Sequence, residues 1–127
     1  SQKEQYNRAL SLLQKGNYER AETELKLFIE NHTDNPLAKN ARYWLGETYY
    51  VRKAYKQAAR VFFEGFRANP RGPKAPDSLL KLGMSLSRLG QSQDACAAFA
   101  KVTSDFQKVS ERIKKVVLRE SGLNNCD

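Results

Sequence analysis

Apolar residues recur three and four positions apart along most of the chain, the spacing of helices buried on one side. Polar breaks at Gly16, Lys53 and Gly90, and at Asn35-Pro36 and Gly72-Pro73, divide this pattern. The breaks predict helices near 2–15, 18–31, 36–52, 55–69, 74–89 and 92–106, with a seventh near 109–121. Gly16 and Gly90 suit the left-handed residue that ends a helix, whereas Lys53 is a less favourable choice for it. Proline in a first helical turn forfeits no hydrogen bond, so Pro76 is expected within the first turn of its helix. The last segment places Val109, Ile113, Val116 and Val117 on one side and Lys114, Lys115 and Arg119 largely on the other.

The pattern repeats. Gly16, Lys53 and Gly90 are separated by 37 residues, twice. In the same register stand Tyr18, Tyr55 and Ser92, then Ala21, Ala58 and Ala95, then Leu25, Phe62 and Phe99. Upstream lie Ala9, Gly46 and Gly83, followed three positions later by Leu12, Tyr49 and Leu86. Each unit reads as two helices in which a small residue admits the partner helix and a large one fills the adjoining groove. One such unit cannot bury its apolar face alone, so stacking is required. The arrangement Leu45-Gly46, Tyr49, Ala58, Phe62 and Pro70 resembles the tetratricopeptide repeat, as do Leu82-Gly83, Leu86, Ala95 and Phe99. That resemblance implies an all-α, right-handed superhelical solenoid of three helix-turn-helix repeats, about 2–35, 36–72 and 73–107, closed by a capping helix near 109–121. The usual period is about 34, so each join carries extra residues. Trp44 adjoins Leu45 instead of preceding it by three, and is expected to point into the groove or along the superhelix.

With 127 residues, the chain suits a single domain. It contains no apolar run long enough to insert into a membrane. Beginning at Ser1 without Met, it is expected to be a processed product or an excised fragment. The net charge of +8 is uneven, since residues 37–76 hold nine basic and only two acidic side chains. A nucleic-acid footprint could lie there, with aromatic residues near Arg42, Arg52 and Arg60. Dispersed surface charge more commonly marks a solvated face, and no nucleic-acid partner is expected.

Catalytic chemistry finds little support. There is one histidine, His32, in the join after the second helix. No Gly-rich phosphate loop or Cys-x-x-Cys pair occurs, and Asn31-His32-Thr33 is a glycosylation tripeptide common by chance. Neither an enzyme activity, a metal site nor a cofactor is expected. A concave docking face is the better candidate. The first helices of the units offer Tyr6 and Leu10, then Asn40, Tyr43, Glu47 and Tyr50, then Leu80 and Met84. These suit a partner helix or extended peptide, although Leu10 and Leu80 could equally serve the core. A carboxylate clamp of the kind some such scaffolds carry would fall on Tyr6, Leu10, Trp44, Asp77 and Lys81, of which only Lys81 is compatible.

Residues 37–50, LAKNARYWLGETYY, and 73–83, PKAPDSLLKLG, resemble the C-terminal domain of the YbgF/CpoB family, periplasmic tetratricopeptide proteins of the bacterial Tol–Pal system. The resemblance implies a periplasmic adaptor that binds a helical segment of TolA. It also implies coordination of outer-membrane constriction with the peptidoglycan synthesis machinery during division. In that family a signal peptide and a trimerising coiled coil precede this module, so the present segment is expected to be monomeric. The motif carries over onto Asn40, Tyr43, Trp44, Glu47 and Tyr50, while Ala9 departs from it. Another envelope role on the same scaffold, such as outer-membrane protein assembly, is the alternative. An oxidising compartment would allow Cys96 and Cys126 to bond, the tail after the capping helix having the reach. Two unpaired thiols are the other possibility.

Overall fold

The computed structural model describes residues 1–127. Seven helices follow one another: α1 (Gln2–Gln14), α2 (Tyr18–Asn31), α3 (Pro36–Val51), α4 (Tyr55–Ala68), α5 (Ala75–Arg88), α6 (Ser92–Asp105) and α7 (Glu111–Leu123). Each packs on its neighbours in the chain. The odd-numbered helices also touch one another in order, α1 on α3, α3 on α5 and α5 on α7, whereas α2, α4 and α6 do not meet. The odd helices therefore form a continuous inner layer, and the even ones stand apart on the outside. Helix α7 takes the inner position of a fourth unit and packs on both α5 and α6.

The turns inside the units share one hydrogen-bond pattern. Asn17 N–H donates to Leu12 and Gly16 N–H to Leu13; Ala54 and Lys53 donate to Tyr49 and Tyr50; Gln91 and Gly90 donate to Leu86 and Ser87. This double closure needs a left-handed residue, here Gly16 and Gly90 at φ 80° and Lys53 at φ 63°. Helix α7 ends in the same way, with Asn125 at φ 55° and Cys126 N–H donating to Ser121. It therefore runs two residues beyond the predicted end at 121 and starts two later, where the Ser110 hydroxyl accepts from Ile113 N–H. Pro36 and Pro76 both lie in first turns, as their missing donors require.

Helix pairing within a unit depends on close approach. A β-carbon on Gly46 would lie 2.5 Å from Phe62, and one on Gly83 would lie 2.5 Å from Phe99. Unit one has Ala9 and Leu25 at these positions, both fully buried. There a larger small residue is paired with a smaller large one, in the same buried cluster. Buried clusters then join the units. Leu25, Phe28, Ala38 and Leu45 connect units one and two, while Leu80, Met84, Phe99, Ile113 and Val117 bind unit three to α7.

Candidate functional site

Within the inner layer, successive helices meet through polar groups. Trp44 Nε1–H on α3 donates to the Tyr6 hydroxyl on α1 at 3.1 Å. Glu47 on α3 faces Lys81 Nζ on α5 at 3.0 Å. Arg112 of α7 meets Asp77 of α5 at 3.3 Å, and Arg88 of α5 meets Glu120 of α7 at 2.7 Å. Every seam between inner helices thus carries at least one directional contact. Burial pushes the Glu120 carboxyl up, but hydrogen bonds from Arg88 and charge from Arg88 and Arg119 outweigh it and leave the group below its ordinary value.

Aromatic rings and lysines lie along this layer. Trp44 stands edge-on to Tyr43, centroids 5.1 Å apart, and the Lys74 ammonium sits 4.8 Å from Tyr43 and 4.9 Å from Trp44. Lys81 lies 4.5 Å over Tyr50, which meets Tyr55 edge-on at 5.3 Å. Lys74 has no carboxylate within ion-pair distance. Lys81 is taken by Glu47, so the one residue compatible with a carboxylate clamp is already engaged.

The structure divides the residues singled out in the sequence. Leu10, Asn40, Trp44, Glu47 and Tyr50 are partly exposed. Tyr6, Tyr43, Leu80 and Met84 are 7%, 9%, 3% and 7% exposed, so they belong to the core and not to an open groove. The causes differ. Tyr6 packs on Phe28, and Tyr43 on Phe62 with Lys74 above it. Leu80 and Met84 share a cluster with Ile113 and Val117, so α7 covers the stretch of inner face that unit three would otherwise expose. Burial also pushes the Tyr43 hydroxyl strongly up, with Glu47 and Asp77 adding to the effect, and it stays protonated. Sequence spacing did not single out Lys74, Arg88, Arg112 or Glu120. They lie at helix ends or on α7, outside the repeating register, and only the stacking brings them together.

Away from this face, His32 packs at a tilt on Phe28, centroids 4.9 Å apart, and its Nε2 lies 2.9 Å from Gln5 Oε1. It is a packing residue at the end of α2. No three His, Cys, Asp or Glu side chains converge as a metal site would need. No helix is long and apolar enough to cross a membrane. Cys96 and Cys126 lie at bonding distance, 2.00 Å between sulfurs, and tie the tail after α7 to α6.

The paired-helix units with their small-to-large contacts have counterparts among known proteins. A tetratricopeptide repeat model matches residues 6–76, and a second matches residues 77–108. The chain belongs to the tetratricopeptide repeat family. Among solved structures it is similar to the Yersinia enterocolitica type III secretion translocator chaperone SycD, with a TM-score of 0.76 and 16% identity over 96% of this chain and 92% of that one. A MamA structure (MSR-1) aligns at a TM-score of 0.70 and 18% identity, covering 98% of this chain and 68% of MamA. A Podospora anserina kinesin light chain protein with tetratricopeptide-like repeats gives 0.76 and 15%, over 98% of this chain and 66% of that one. The chain thus spans about two-thirds of the MamA and kinesin light chain structures. At such identities the likeness is one of fold. No curated protein matches the chain. A tetratricopeptide scaffold presents a surface for another protein.

Proposed function

We propose that this chain is a protein-docking module of the bacterial cell envelope, holding a helical TolA-like segment against its inner face. The observation that carries it is the cluster at the α1–α3–α5 seams. There Trp44 and Tyr50 are partly exposed, and Lys74 stands over the Trp44 ring with no carboxylate of its own. A partner helix could bury the two rings and bring an acidic side chain to Lys74, which gives both contact area and register. The LAKNARYWLGETYY segment and its resemblance to the Tol–Pal module support TolA as partner, with a role in coordinating constriction and peptidoglycan synthesis. The Cys96–Cys126 pair agrees with a periplasmic, oxidising location.

Titration of the TolA helical segment against the chain tests this. Trp44→Ala with Tyr50→Ala should weaken binding by about 1–3 kcal/mol per anchor, with helicity unchanged. Equal affinity in the folded double variant would remove these rings from the site.

A further inference from the structure

The outer layer carries a feature that the inner-face reading does not use. On α4, Lys56, Arg60, Phe63 and Arg67 are all exposed and follow one another at spacings of four, three and four. At 3.6 residues per turn these positions share one narrow face of the helix, about 16 Å long. Phe63 is 47% exposed, unusual for a large apolar ring, and the Arg67 guanidinium lies 5.6 Å from its centroid. None of the three cations has a carboxylate partner. Glu64, the one acidic residue of α4, lies beside the stripe and lines the cleft that contains Arg42 and Val61.

The repeats provide an internal control. The equivalent positions on α2 are Glu19, Thr23, Lys26 and Glu30, and on α6 they are Gln93, Ala97, Ala100 and Ser104. Three helices with the same place in the fold thus carry an acidic, a basic and an uncharged outer face. The scaffold does not require these residues, so neither packing nor solubility in common explains the cations and the ring of unit two. All four residues are exposed, so nothing else in the chain covers this face.

We propose that the outer face of α4 is a second docking surface, for an acidic protein segment with one apolar anchor. Carboxylates would pair with Lys56, Arg60 and Arg67, and the anchor would pack on Phe63. Charge complementarity selects the partner, and the ring between the cations distinguishes it from a plain polyanion. The stripe is convex and lies on one helix, whereas a nucleic-acid strand binds along a groove of many cations.

The test is amide-resolved NMR titration of the folded chain with a short synthetic peptide of glutamates flanking a central leucine. Comparison probes are the same peptide with serine for leucine, one with lysines for glutamates, and oligothymidylate. The glutamate–leucine peptide should shift the amides around Lys56, Arg60, Phe63 and Arg67, and raised salt should weaken it. Arg60→Glu with Arg67→Glu should weaken it roughly tenfold or more, as charge reversal on an interface does. The serine peptide should bind several-fold more weakly, and the lysine peptide should not bind. The same charge-reversal variant should retain inner-face binding, so failure here is separable from failure of the inner-face proposal. A footprint elsewhere, insensitivity to charge reversal, equal binding of leucine and serine peptides, or tighter oligothymidylate binding on α4 would each overturn the proposal.

Discussion

Gly46 and Gly83 show how little freedom the pairing of helices leaves at single positions. A methyl group at either would overlap a buried phenylalanine ring, 2.5 Å from its nearest atom. Gly46→Ala should destabilise the chain by about 1–3 kcal/mol, the usual effect of overpacking. Adding Phe62→Leu recreates the Ala9–Leu25 combination of unit one and should recover part of the loss. Denaturant melts of the two single variants and the double variant measure the coupling; strictly additive losses would refute the size matching. Lys53 offers the opposite case. It is exposed and held at φ 63° in a turn whose counterparts use glycine. Lys53→Gly relieves the left-handed strain but adds freedom to the unfolded chain, so the net gain should be small, about 0.5–1 kcal/mol. A lowered melting temperature would contradict this.

Between elements, the apolar α2–α3 junction also carries a polar network centred on one carboxylate. Glu22 accepts from Lys26 at 2.8 Å, from Tyr49 at 3.1 Å and from Arg52 at 2.7 Å. The hydrogen bond from Lys26, then those from Arg52 and Tyr49, outweigh desolvation and lower its pKa from 4.5 to about 2. A carboxylate with a depressed folded pKa contributes stability that is complete above the unfolded value and disappears as pH falls through the folded one. The junction should therefore weaken between about pH 5 and pH 2. Thermal melts across that range should show the decline. Glu22→Gln should be less stable than the native chain at neutral pH and less sensitive to acid; identical pH profiles would exclude Glu22 as the cause. Helix α7 shows what such local chemistry sets. Its end is set by the left-handed Asn125, a residue that can serve there almost as glycine does, and so lies two residues past the end expected at 121.

For the molecule as a whole, the C-terminal end is held by two devices. Ile113 and Val117 of α7 pack with Leu80, Met84 and Phe99, and the Cys96–Cys126 pair ties the tail back to α6. The pair is 30 residues apart in sequence. Closing a loop of that size stabilises by about 3.5 kcal/mol in the chain-entropy model. Cys96→Ser with Cys126→Ser should lower stability by up to that amount and loosen α7 first, visible as faster amide exchange in residues 111–123 than in α3. Free-thiol labelling of unreduced, denatured protein should find no reactive thiol; two per chain would show that the pair is open.

The sequence alone determined the repeat, its period of 37, the helix pairs and the turns between them. These depend on short-range periodicity and on backbone-permissive residues, which are local properties of the chain. It also singled out Glu47 and Tyr50, because helical spacing places them on the inner side of α3, while Trp44 entered through the resemblance of its segment. The stacking of units decided the rest. Which inner-side residues stay open depends on what the neighbouring helix covers, and so Tyr43 went to Phe62 and Lys74 while Leu80 and Met84 went beneath α7. The ion pairs Glu47–Lys81, Asp77–Arg112 and Arg88–Glu120 join residues 32 to 35 positions apart. No local pattern announces such partners, because the stacking geometry of successive inner helices, rather than the period of any one helix, sets their distance.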